Sequence, residues 1–423
     1  MAIAINPRRH RRVGLIGPLV CLLVAGGAIA RFAAAGHGGA PRSAVTRSAD
    51  PATSALTEAA TALRDAIETG DPARYAAVDA ALARAGNAPG SPGIHAALLL
   101  SRHEFRAART FVTTELQTTP GDRALLAAAV DASVETGAYD AAEETLQQLA
   151  DLRPDARALS RVSYLRELHG DLTGAITAMR QAEQAPIEPS EHATVATFLG
   201  DLCLSVNDLS CAQTSYDTAL QLRPNAVGAS LGRARLLAAK GSTSEATSLL
   251  ASLVERSPQP AAASLLGEMQ TLAADHEGAA NSFSIVAANT TLLTAAGVVT
   301  DLEAAVFETD HGDADRAVEL SRAAYANRQT VFTADALGWA LTQAGRATEA
   351  MPYVQEATSL GTASVAVQTH AAATMAATGD VAAARTLLQR VLDRNPWTVP
   401  SVRTTAVGLA GSLGVDLPEG WRL

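Results

Sequence analysis

Side chains able to exchange protons, attack a substrate or ligate a metal are scattered in this 423-residue chain. His103, His169, His276 and His311 each fall beside a short break between apolar stretches. No HxxxH or HExxH spacing brings two histidines onto one helical face, so metal chemistry of that kind is not expected. These histidines are expected to be solvated. Nor does the sequence offer the strand–turn–helix context that seats a phosphate loop or a nucleophile elbow. Acid pairs such as Glu143 and Glu144 read as solubilising charge on an exposed helix face rather than as an acid–base couple. No catalytic residue, cofactor or metal is expected, and the chain reads as non-enzymatic.

Three cysteines occur, at positions 21, 203 and 211, with no CxxC. Cys203 and Cys211 lie four residues before and four after Asn207, in the middle of a break. Two helices turning back at Asn207 would bring the Cα atoms into the range of about 4.4–6.8 Å that a disulfide spans. In an oxidising compartment the pair would bridge; otherwise they are two small residues facing one seam.

The elements that must position these residues are helical. Hydrophobic residues make up 48% of the chain but aromatics only 4%. Such an Ala-, Leu- and Val-rich composition suits closely packed helices and offers strands little. At this length the chain is either several domains or one long array. The net charge is −10, and the five arginines of residues 1–31 leave the rest near −15. An acidic body argues against a nucleic-acid partner, which requires a basic face. Arginine takes nearly every cationic position, a mark of GC-rich bacterial codon usage.

Residues 1–12 form a basic N-region, and Val13–Ala30 is a run of 18 uncharged residues. As a helix it would span about 27 Å, close to a hydrocarbon core of about 30 Å. Arginines precede it, which puts the N-terminus in the cytoplasm and the remainder outside. Residues 13–31 are thus a transmembrane signal-anchor or, with Ala33-Ala34-Ala35 as a cleavage site, a signal peptide of a secreted protein. Residue Cys21 lacks the small-residue context of a lipidation site. Residues 32–53, rich in Gly, Pro and Ser, read as a flexible linker.

From residue 54 to 396 one grammar repeats. The clearest units are GAYDAAEETLQQLADLRP (137–154), NDLSCAQTSYDTALQLRP (207–224), GSTSEATSLLASLVERSP (241–258) and GDVAAARTLLQRVLDRNP (379–396). Each runs 17 positions from turn residue to Pro, with a small Ala five residues after the turn: Ala142, Ala212, Ala246 and Ala384. Four positions later comes Leu146, Tyr216, Leu250 or Leu388 to fill the seam. Weaker copies turn near Gly70, His103, Gly170, Ala274, Gly312 and Gly345. The intervals stay at 33 or 34 residues except for about 37–38 at 170→207 and 274→312, where the array bends or divides in two. Residues 397–423 read as a capping helix and an irregular tail.

A period near 34 with two helices per unit resembles the tetratricopeptide repeat (TPR). Leu199-Gly200 and Leu337-Gly338, seven residues before their turns, extend the resemblance into the first helices. The family's Trp and Tyr there are mostly absent. The resemblance implies an all-α, right-handed superhelical solenoid of about ten helix-turn-helix repeats with a C-terminal cap. It also implies a concave face, lined by first helices, that binds a protein or peptide partner. Carried over by register, the groove positions are Asp131, Tyr164, Glu167, Asp201, Arg235, Glu268, Asp335 and Trp339. This set lacks both the Lys/Asn/Arg carboxylate clamp and the asparagine ladder of better-defined family members. The expected function is a membrane-anchored, extracytoplasmic scaffold or adaptor; the alternative is a peptide or small-ligand sensor using the same groove.

Overall fold

The computed structural model describes residues 50–397 and 399–422, so the basic N-region, the apolar run and nearly all of the linker lie outside it. Ten helix pairs follow one another. The first five are α1 (Pro51–Thr69) with α2 (Ala73–Ala85), α3 (Ser91–Ser101) with α4 (Phe105–Thr118), α5 (Arg123–Val134) with α6 (Tyr139–Leu152), α7 (Ala156–Leu168) with α8 (Leu172–Glu183), and α9 (Pro189–Ser205) with α10 (Leu209–Leu222). The next five are α11 (Val227–Ala239) with α12 (Thr243–Arg256), α13 (Pro260–Leu272) with α14 (His276–Ala295), α15 (Asp301–His311) with α16 (Ala314–Asn327), α17 (Val331–Gln343) with α18 (Ala347–Ala357), and α19 (Val365–Ala377) with α20 (Val381–Leu392). A last helix, α21 (Pro400–Leu413), packs on α19 and α20. The described residues contain no strand, and the all-helical solenoid expected from the spacing is the fold found.

The turns form for local reasons. Gly70, His103, Gly137, Gly170, Asn207, Gly241, Ala274, Gly345 and Gly379 all adopt positive φ, which ends the first helix of nine of the ten pairs; Gly312, after α15, has φ −122° instead. At several turns an Asp follows and caps the second helix. Asp171, Asp208, Asp275, Asp313 and Asp380 each accept the backbone N–H three residues on. The Asp171 and Asp208 N–H groups also close back onto the carbonyls of Arg166 and Cys203, satisfying the outgoing helix end.

Packing follows the predicted pattern. Ala142, Ala212, Ala246 and Ala384 are fully buried, as are Leu146, Tyr216, Leu250 and Leu388. Tyr216 is the large member of that set, and glycines on both neighbouring first helices make room for it. A Cβ at Gly200 or Gly232 would sit 2.5 or 2.3 Å from its ring. The tail does not trail off. A short 3-10 turn, Glu419–Trp421, tucks the Trp421 indole into the end of the stack, where Nε1 donates to the Arg394 carbonyl at 3.1 Å. Among the described residues no helix is long and apolar enough to cross a membrane.

The coil is closed upon itself. The turns of the first five pairs meet loops that lie 188 to 196 residues further along the chain. At the first turn, the Gln259 amide donates to the Glu68 carbonyl and the Ser257 hydroxyl to that of Thr69. At the second, the ring of His103 bonds the Val299 carbonyl at 2.9 Å, and the Val299 N–H donates to the Arg102 carbonyl at 2.9 Å. Gly137 lies under the Gln329 carbonyl and Gly170 under that of Gly361, each so close that a Cβ would fall 2.1 or 2.4 Å from the oxygen. At the fifth turn, Asn395 donates to the side chain of Asn207. With repeats of about 34 residues, one circuit closes after roughly five and a half of them. Gly241, Gly345 and Gly379, in later pairs, have open space where a Cβ would point, because no further circuit lies over them.

Two ion pairs and a tyrosine reinforce this seam. Arg223 pairs with Glu68. Arg328 pairs with Glu135 at 2.5 Å, both nearly fully buried, and its guanidinium lies over the Phe105 ring. The Val331 N–H donates to the Tyr139 hydroxyl at 3.0 Å. Of the two long intervals in the sequence, the second is the site of an extended α14. There the backbones of α14 and α15 approach less closely than other successive helices, and Phe283, Phe307 and His311 fill the gap.

Candidate functional site

The first helices line the inside of the coil, and the residues carried over by register lie there. They fall into two groups. In the first, Asp131 on α5 receives a two-pronged pair from Arg161 on α7, Nε to Oδ1 at 2.8 Å and Nη2 to Oδ2 at 2.5 Å. On the far side of α7, Glu167 faces Asp201 on α9, and the Tyr216 hydroxyl donates to Asp201 at 2.7 Å. Burial, and then the Asp201 charge, push the Glu167 carboxyl and the Tyr216 phenol well above their ordinary ranges. Tyr164, Glu167 and Asp201 keep part of their surface accessible, whereas Asp131 is buried.

The Asp131 pair gives a pH prediction. Burial pushes its carboxyl up to about 6, against the opposing pull of Arg161. Folded protein therefore holds this proton in a range where the unfolded chain has lost it. The sign follows: this contribution falls as pH rises from about 4 to about 6. Asp131→Asn is expected to flatten that part of a urea-denaturation stability profile; an unchanged slope would remove Asp131 as its source.

The second group surrounds a small chamber between α11, α13, α15, α19 and the start of α21. Glu268 on α13 accepts the Ser401 N–H at 3.2 Å and lies 3.6 Å from His311. Asp335 on α17 pairs with His370 on α19 at 3.1 Å. The His370 ring stacks on Trp339, with centroids 4.4 Å apart. The Trp339 indole donates to Asp310 at 3.0 Å. Burial pushes the Asp310 carboxyl up, opposed by His370 and the indole. Arg235, Glu268, Asp335 and Trp339 are all buried. Arg235 lines the chamber with 7% of its surface exposed, and no hydrogen bond or ion pair reaches it among the described residues. Ser264 and Phe307 line both this chamber and an adjoining apolar cavity of about 180 Å³, walled by Ile67, Val286, Leu293 and Val298.

Asp310, His311 and His370 complete the second group but were not among the residues obtained by register. Only His276 of the four turn histidines is exposed. His103, His169 and His311 keep 13%, 8% and 13% of their side-chain surface, because the seam and the inner face enclose them. The string Gly228-Ala229-Ser230-Leu231-Gly232 has the GxSxG spacing, yet it lies within α11, and the Ser230 hydroxyl donates to the Ala226 carbonyl as any helical serine does. Cys203 and Cys211 are joined by a disulfide with their Cα atoms 5.7 Å apart. Nearby Asp208 caps α10 through the Cys211 N–H, so the trio forms a pinned turn.

Helix pairs of this length, turn and small-residue register define a repeat scaffold. Residues 127–189 and 204–269 match tetratricopeptide repeat models, and the chain carries repeats of that type. No curated protein matches the chain as a relative. Among solved structures it is similar to the APC/C hetero-tetramer Cut9–Hcn1, at 15% identity and TM-score 0.43, covering 84% of this chain and 69% of that one. Yeast Tom70 is 14% identical with TM-score 0.35, covering 92% and 69%. A human IFIT1 dimer with m7Gppp-AAAA is 12% identical with TM-score 0.46, covering 80% and 95%.

Proposed function

We propose that this chain is a scaffold or adaptor held outside the cytoplasmic membrane by its N-terminal apolar run, where it engages a protein partner of the cell envelope. The matched repeats support the binding role, since TPR units commonly present protein-docking surfaces. The arginines at positions 8, 9, 11 and 12, ahead of the uncharged run, support the topology. One observation carries the reading furthest: the seam braces two circuits of helices into a single body, a surface that can dock a partner without first being ordered. Within the inner-face set, Tyr164, Glu167 and Asp201 are the members with accessible surface, and the partner's contact is assigned to them.

Proximity labelling in membranes with the full-length chain tests this, using Asp201→Arg as the comparison. A reproducible envelope partner lost in the variant is the expected result; no such partner would count against the scaffold. A C-terminal reporter active in the cytoplasm would overturn the topology. A second reading, a small-ligand sensor, is favoured by the buried Arg235, which no hydrogen bond or ion pair among the described residues reaches.

A further inference from the structure

The chamber between α11, α13, α15, α19 and α21 has one unsatisfied demand. Each acid around it has a partner: Glu268 has the Ser401 N–H and His311, Asp310 has the Trp339 indole, and Asp335 has His370. Among the described residues Arg235 makes no hydrogen bond or ion pair, and its Nε is buried without a partner, although nine-tenths of the side chain is removed from solvent. A guanidinium is not deprotonated in a protein, so burial cannot neutralise it as it would a lysine. An unpaired buried charge is costly to the fold, and an anion seated on its planar fork removes that cost.

The surroundings restrict which anion fits. Glu268 and Asp310 line the same chamber and disfavour a second negative charge, which selects a monoanion over phosphate. Beyond Ser264 and Phe307 lies the apolar cavity of about 180 Å³, formed where α14 and α15 spread apart. A ligand reaching both must be charged at one end and apolar along its body. Resting on the sensor reading above, we infer that Arg235 is the anion-binding residue of a site for a small monocarboxylate, whose apolar tail lies in the cavity beyond Phe307.

The test is calorimetric titration of the full-length protein with sodium octanoate, N-acetylleucine, octylamine and inorganic phosphate. Saturable binding of octanoate, with octylamine and phosphate at least about tenfold weaker, is the expected result. N-acetylleucine binding more tightly than octanoate would also support the site and would point to the C-terminus of a peptide as its source. Equal binding of octylamine would overturn the proposal, because the charge of Arg235 would then play no part; so would phosphate binding as well as octanoate. Arg235→Met is expected to weaken octanoate about tenfold to a hundredfold, without lowering the melting temperature, since it removes an unpaired buried charge. Arg235→Lys, which keeps the charge and loses the fork, is expected to weaken binding less than Met and covers the case in which the Met variant does not fold. Octanoate affinity unchanged in both variants would sink the assignment. Failure of all four ligands to bind would overturn the site while leaving the scaffold reading intact, because that reading stands on the proximity-labelling result.

Discussion

Arg328→Met is expected to destabilise the protein by about 3–5 kcal/mol at neutral pH. The residue sits in the loop before α17, and its partner Glu135 ends α5, 193 residues earlier. Both are nearly fully buried. Burial already pushes the Glu135 carboxyl up, while Arg328 first and His103 second draw it back down. Removing the guanidinium leaves that carboxylate without its main counter-charge, and its pKa then rises further above the unfolded value. A group with a raised folded pKa is most destabilising above that pKa and ceases to be so as it takes up its proton. The variant's deficit should therefore shrink as pH is lowered. Adding Glu135→Gln should recover much of the loss, because an apolar and a neutral residue in place of a buried ion pair is often nearly neutral. Urea denaturation of the two variants across pH checks both statements. A deficit below about 1 kcal/mol, the size of a solvent-exposed pair, would show that the seam is open at this point in solution.

Gly137→Ala should have an effect of similar size and a different cause. Its φ is +74°, a conformation that costs an L-residue about 1–2 kcal/mol. Its missing Cβ would also fall 2.1 Å from the Gln329 carbonyl oxygen. A main-chain oxygen cannot swing aside as a side chain can, and such overpacking adds about 1–3 kcal/mol. Gly241→Ala isolates the first contribution. It has φ +84° and open space where the methyl would go. The difference between the two variants in chemical denaturation reports the seam contact, and faster amide exchange around residues 329–331 in Gly137→Ala would locate it. Equal losses would mean that the seam gives way without cost.

The helix pairs were readable because each is specified by neighbours in sequence. Turn, Asp cap, small Ala and a seam-filling Leu or Tyr recur within one unit, as 207–216 and 379–388 illustrate. Placing Asp131, Arg235 and Trp339 on the inner helices followed from the same register. Their burial did not, and neither did the closure of the coil, which joins residues some 190 positions apart through no repeated motif. Asp131 is enclosed with Arg161, and Arg235 and Trp339 with residues of α15 and α19. One trace of the seam was present. His103 and Asn207 occupy positive-φ turn positions where glycine would be easier, and both use their side chains to reach across to the second circuit. His370 left a fainter signal. It lies 35 residues after Asp335, one repeat on, just as Arg161 follows Asp131 by 30. An acid and a basic or imidazole side chain spaced by about a repeat along the inner helices were the sign of the buried pairs.

Arrays of this kind ordinarily grow like a stack of coins, each unit resting only on its neighbours, so that stability accumulates along a line. The seam adds a second direction. As the chain leaves the ribosome, the turns at Gly70 through Asn207 stand bare until six or more units have formed, and only then does each find its counterpart. The first half should consequently be the fragile half during synthesis, and loss of the last three units should loosen α5 through α10 far from the cut. Contacts between residues this distant also delay their own formation, since the intervening chain must be ordered first. Early folding should therefore be local and quick, with a late, concerted step that locks the two circuits together.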